Sequence, residues 1–162
     1  MDWFVRNLRD MTWWKRGPGG WMTELVDDDQ SVGVNLFVLE PGDKMAMYHW
    51  EADQEDFLIL AGEALLLVEG QERPLRQWDF VHCPPETRHL IVGAGEQGCT
   101  LVAVGAREHQ TGDWGAYVPD ELAERHGAAV EEETSDTALA YARFEKAHPT
   151  RYRDGFLPGE RS

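Results

Sequence analysis

Between residues 21 and 106 no apolar stretch holds a helical period for long, and this narrows the fold more than any other feature. Short apolar or alternating runs recur instead, at 21–25, 32–39, 44–51, 55–60, 64–69, 73–76, 80–83, 89–92 and 100–106. Turn-forming clusters separate them: Asp27-Asp28-Asp29, Pro41-Gly42-Asp43, Gly62-Glu63, Gly70, Pro84-Pro85 and Gly93-Ala94-Gly95. Many short runs at close spacing predict an all-β domain, a sandwich or a closed barrel. A chain of 162 residues is one domain's worth and can bury a core without disulfide staples. The expected organisation is an N-terminal arm over 1–20, a barrel over 21–110 and an extension over 111–162. The arm is rich in Trp and Arg and ends in Gly17-Pro18-Gly19-Gly20. In the extension, 119–126 reads as a short helix stopped by Gly127. A second helix is expected from the caps Ser135-Asp136-Thr137 to about Ala147, ended by Pro149. The aromatic stretch 150–159 is expected to pack back along the body.

Charge removes some functions. Fifteen Lys and Arg stand against thirty Asp and Glu, for a net charge of −15 and a pI near 4.6. Such a surface repels phosphate backbones and anionic lipid heads, which argues against nucleic-acid and membrane-surface roles. No apolar run approaches the roughly 20 residues that span a bilayer. The first residues lack the apolar region and cleavage site of a signal peptide, so the expected compartment is the cytoplasm. Cys83 and Cys99 are then expected as two small buried hydrophobes rather than a disulfide.

The chemistry concentrates on a few inward positions. His49 and Glu51 lie two apart on a strand and share a face with Met45 and Met47. Glu55 opens the next strand with the parity of Phe57 and Ile59, so it also points into the apolar interior. A lone inward carboxylate is costly to bury, and two close together repel. A divalent cation resolves both problems, and imidazole with carboxylate suits Fe, Mn, Ni or Zn. His89, fed by the rigid turn Pro84-Pro85-Glu86-Thr87-Arg88, supplies a fourth inward group. Glu51, if it is not a ligand, is placed to act as a general base. His82, just before Cys83-Pro84, reads either as a proton shuttle behind the site or as a partly exposed strand residue. His109, His126 and His148 read as surface groups.

These residues carry a resemblance. The run Gly42, His49-Trp50-Glu51, Glu55 and Gly62 resembles the first motif of the cupin superfamily: Gly, five residues, His-x-His, three or four residues, Glu, six residues, Gly. Pro84 and His89 fall at the Pro and His of the second, Gly-x5-Pro-x-Gly-x-x-His-x3-Asn. The chain departs from the pattern in several places. Glu51 stands for the second His, and the Gly42–His49 gap is one residue longer than the pattern. Trp78 and Glu86 stand where glycines are usual, and Gly93 stands for Asn. A rival register puts Met47 and His49 in the two His positions, leaving only His49, Glu55 and His89 as ligands.

The resemblance, which covers about residues 30–106, implies a double-stranded jelly-roll β-barrel with a metal near its centre. It also implies a homodimer, to which the Trp-rich start would contribute. Two His with one or two carboxylates approximate the facial triad of Fe(II) dioxygenases. A metal-dependent isomerase, lyase or decarboxylase, or a non-catalytic small-molecule sensor, are the alternatives the family allows.

Overall fold

Two long strands organise the molecule. In the computed structural model, which describes residues 3–159, β5 (Glu55–Val68) and β8 (His89–Ala106) pair antiparallel along their whole length. Register shifts between Ile59 and Ala61, and between Gly62 and Glu63, let the pair bend. Gly62 has φ +77°, and a Cβ there would lie 2.0 Å from the Gly98 carbonyl oxygen. Only glycine permits that approach.

The bend divides the sheet into two facing layers. In one, the first half of β5 lies between β7 (Phe80–Cys83) and the second half of β8, which continues through β3 (Val32–Leu39), β2 (Trp21–Glu24), β1 (Trp13–Lys15) and β10 (His148–Thr150). In the other, the second half of β5 lies between β6 (Gln71–Arg76) and the first half of β8, which continues through β4 (His49–Glu51) to β9 (Gly115–Tyr117). This is the expected jelly-roll barrel. Its interior holds Phe37, Leu39, Met45, Phe57, Ile59, Leu66, Ile91 and Leu101. Each such side chain contributes about 1.5–3 kcal/mol by leaving water. Two short helices follow, α1 (Glu121–Arg125) and α2 (Thr137–Ala140), each capped by an aspartate accepting from backbone N–H groups. No helix among the described residues is long and apolar enough to cross a membrane.

The structure revises several expectations. The runs 55–60 and 64–69 are one strand, as are 89–92 and 100–106, because Gly62 and Gly98 make corners rather than breaks. The run 44–51 is a strand only over His49–Glu51. Upstream, Arg16 occupies the carbonyls of Lys44 and Met45, while the N–H groups of Met47 and Tyr48 donate to the Tyr141 hydroxyl and the Ala128 carbonyl. These bonds replace a strand ladder. The second helix stops at Ala140, where Tyr141 turns toward Met47 and Arg143 donates to the carbonyls of Gly127 and Ala129.

The barrel draws on both flanks. Trp13, from the expected arm, is fully buried against Tyr152 and Phe156, and Trp21 packs on Phe156. The aromatic tail therefore does pack back, with β10 paired to β1. The ends of these flanks, residues 1–2 and 160–162, lie outside the described residues. Cys83 and Cys99 are free and buried, as expected.

Candidate metal centre

Strand register brings the predicted groups together. His49 and His89 are directly paired across β4 and β8 in one layer. Glu55 begins β5 in the facing layer, with the parity of buried Phe57 and Ile59. The two layers thus present two imidazoles and one carboxylate to the same interior point. One donor atom from each of His49, Glu55 and His89 lies within 4.8 Å of the others. Glu55 Oε2 is 2.9 Å from His89 Nε2 and 3.6 Å from His49 Nε2.

Both rings are held in one orientation. Nδ1 of His49 donates to the Met47 carbonyl at 2.7 Å, and Nδ1 of His89 donates to the Thr87 carbonyl at 2.9 Å. A carbonyl can only accept, so the proton of each neutral ring sits on Nδ1 and the Nε2 lone pair faces inward. The turn that supplies the Thr87 carbonyl is anchored to β4 by a 2.7 Å bond from Glu86 N to Glu51 O.

Burial makes this arrangement costly without a positive charge. His89 Nε2 and Glu55 Oε2 are buried and, despite their separation, not aligned for a hydrogen bond with each other or with any described group. Burial lowers the basicity of His49, but Glu51 and Glu55 against it more than reverse this and hold its pKa well above the ordinary value. Burial pushes the Glu55 carboxyl up, while His49 and His89 draw it well below the usual range. The buried acid, the unpartnered His89 Nε2 and the low dielectric favour a positive charge at this point, which a protonated His49 or a bound metal would supply. The donor set fits a divalent first-row metal.

Glu51 stands beside this trio. Its Oε1 is 3.5 Å from His49 Nε2, and its side chain is 30% exposed, facing a cleft of about 420 Å³ that also reaches Glu55. It lies outside the close group of donor atoms, as in the three-ligand register. His82 is not at the site. It sits across from Asp56, so it points away from the interior that Glu55 and Cys83 face. Its Nδ1 pairs with the Asp56 carboxylate at 2.5 Å, and its side chain is half exposed. Strand alternation puts adjacent residues on opposite faces, so His82 and Cys83 cannot both face inward.

Two residues were missed. Tyr117 and Trp114 line the cleft, their rings 5.9 and 6.4 Å from the His49 ring and 5.2 Å from each other. Tyr117 belongs to β9, which pairs with β4 and completes the barrel from within the expected extension. Burial raises the Tyr117 phenol well above its ordinary range, so it stays protonated and can donate a hydrogen bond. The sequence signal was the apolar run Trp114-Gly115-Ala116-Tyr117-Val118, a strand pattern just past a turn.

Residues 35–105 match the family model of the cupin domain. A protein from Acidithiobacillus ferrooxidans assigned as a sugar phosphate isomerase is 26% identical, with TM-score 0.53, over 56% of this chain and 61% of that one. The chain therefore spans less than two thirds of that relative's length. A sugar phosphate isomerase from Silicibacter pomeroyi is 25% identical, with TM-score 0.53, over 58% of this chain and 70% of that one. A cupin-like protein of Thermotoga maritima shares the fold at 20% identity and TM-score 0.55, covering 82% of this chain and all of that one. No curated protein sequence matches the chain.

Proposed function

Residues 35–105 are a cupin domain, and from that premise we propose that the chain is a metal-dependent enzyme moving protons on a small-molecule substrate, in the isomerase or lyase class. The carrying observation is the unpaired buried couple Glu55 Oε2 and His89 Nε2, met by His49 from the neighbouring strand. His49, Glu55 and His89 would hold the metal. When bound, a divalent ion polarises a substrate carbonyl or hydroxyl oxygen as a Lewis acid. Glu51 takes the substrate proton, since its carboxylate borders both the trio and the open cleft. Tyr117 donates to a substrate oxygen, and with Trp114 it keeps one wall of the cleft apolar. The likeness to two proteins named as sugar phosphate isomerases supports proton transfer.

A dioxygenase is the second reading, favoured by one feature: two His and one carboxylate leave positions open as in non-haem Fe(II) oxygenases. One experiment separates the two. Purified protein is loaded with Zn, Mn or Fe(II) and offered hydroxy-acid and sugar-phosphate panels in deuterated water. Proton transfer gives deuterium incorporation with Zn or Mn that is lost in Glu51→Gln while metal is retained. Oxygen uptake confined to the Fe(II) form, without deuterium exchange, would replace this reading by the second.

A further inference from the structure

We propose that Arg107 anchors the anionic end, a carboxylate or phosphate, of a small hydroxylated substrate whose other end reaches Glu51 and the Glu55–His89 site. The inference rests on the enzyme reading above and names a substrate class for it.

The floor of the cleft carries the argument. Gly33, Gly105 and Glu55 are paired in one row across β3, β8 and β5. Two consecutive positions beside Glu55 therefore present no side chain to the interior. Neighbouring strands lie about 4.8 Å apart, so the bare floor runs roughly 10 Å from Glu55 to Gly33. Arg107 closes its far end. Its guanidinium lies over Gly33, where a Cβ would come within 2.8 Å of Nε and 3.0 Å of Nη2. The absence of a side chain at Gly33 is what admits it.

Arg107 is held but not neutralised. Nη1 donates to the Asp27 carbonyl at 2.8 Å, which fixes the group, and among the described residues the other guanidinium N–H groups make no hydrogen bond. The nearest carboxylate, Asp28, is 3.9 Å away and 88% exposed, whereas the Arg107 side chain is 11% exposed. Among the described residues Arg107 is the only Lys or Arg lining the cleft. Of the five acids there, Glu51 and Glu55 belong to the other end of the cleft, beside His49, Asp53 is engaged twice by His109, and Glu24 and Asp28 sit in solvent, where salt screens them. A guanidinium fork matches the paired oxygens of carboxylate and phosphate. Asn35, on the same inner face of β3, has a buried Oδ1 without a hydrogen-bond partner and lines the same floor. That acceptor suits a substrate hydroxyl.

Calorimetric titration of zinc-loaded protein tests this with three probes: glycerol 3-phosphate, tartrate and neutral erythritol. We expect at least one anion to bind more tightly than erythritol, and which one identifies phosphate or carboxylate as the anchored group. Arg107→Met should weaken that anion about 10- to 100-fold and leave erythritol unchanged. Equal anion affinity in Arg107→Met, or no preference for either anion over erythritol, would overturn the proposal. Elemental analysis of the same samples keeps the two readings apart. If wild-type protein holds no zinc, the metal assignment fails, and titration of metal-free protein decides Arg107 by the same two outcomes. Should Arg107→Met fail to fold, Gly33→Ala, which keeps the guanidinium but displaces it, takes its place.

Discussion

Glu55 Oε2 and His89 Nε2 face each other at 2.9 Å across the barrel interior, both buried and neither aligned to hydrogen-bond the other. Glu55 comes from the start of one bent strand and His89 from the start of the other, so the contact exists only because both strands turn the corner at Gly62 and Gly98. Removing either donor should abolish tight metal binding. Glu55→Ala and His89→Ala are expected to carry little Zn, Mn or Fe after dialysis, measured by elemental analysis. Glu51→Gln is expected to retain it. Full occupancy in both alanine variants would reject the ligand assignment.

Metal should also stabilise the fold. The buried donors would bind a cation only in the folded state, so saturation at 100 times Kd would add about 2.7 kcal/mol. For a domain of this size that raises Tm by roughly 5–10 °C. Thermal unfolding with and without Zn, and after chelation, checks this; an unchanged Tm would count against a resident metal.

Trp78 and Glu86 have φ of +74° and +68°, in the left-handed region, and both occupy positions where the cupin motif carries glycine. An L-residue there costs about 1–2 kcal/mol, partly offset because glycine has more unfolded-state entropy to lose. Trp78 is 67% exposed, so little packing is forfeited on replacement. Trp78→Gly and Glu86→Gly should each stabilise the protein by about 0.5–1 kcal/mol in urea unfolding. A loss of stability in both would show that these side chains make contacts outweighing their strain.

Gly62 is the opposite case. Its positive φ and the 2.0 Å approach of the Gly98 carbonyl leave no room for a methyl group. Gly62→Ala should destabilise by about 3 kcal/mol or more, since backbone strain and overpacking act together. A Tm within a degree of wild type would contradict the corner assigned to this residue.

Asp53 and His109 form a pair that ties the loop after β8 to the cleft, with a 2.7 Å bond to the ring and a second to the His109 backbone. The bonds with Asp53 raise the His109 pKa. Burial pushes the Asp53 carboxyl up, but His109 more than reverses this and lowers it. The His contribution is full below its unfolded value of about 6.5 and is lost as pH rises through its raised folded value. The Asp contribution is full above about 3.9 and is lost as pH falls through its lowered value. The loop is therefore best held between those limits. NMR titration should find the His109 pKa moved toward 6.5 in Asp53→Asn; an unmoved value would mean that the pair does not form in solution.

Alternation along single strands carried much of the inward-facing pattern. It identified an all-β domain, put His49, Glu51 and Glu55 on interior faces, and the motif spacing added His89. Local sequence carries that information because successive side chains on a strand must take opposite faces. The same rule left His82 open, and only its pairing opposite Asp56 showed it on the outer face. Which of the acids joins the histidines, how Tyr117 and Trp114 reach the cleft from the C-terminal stretch, and why Arg107 lies over Gly33 were decided by the tertiary structure. Those relations depend on register between strands distant in sequence, and such register is set by long-range hydrogen bonding and core packing rather than by any local pattern.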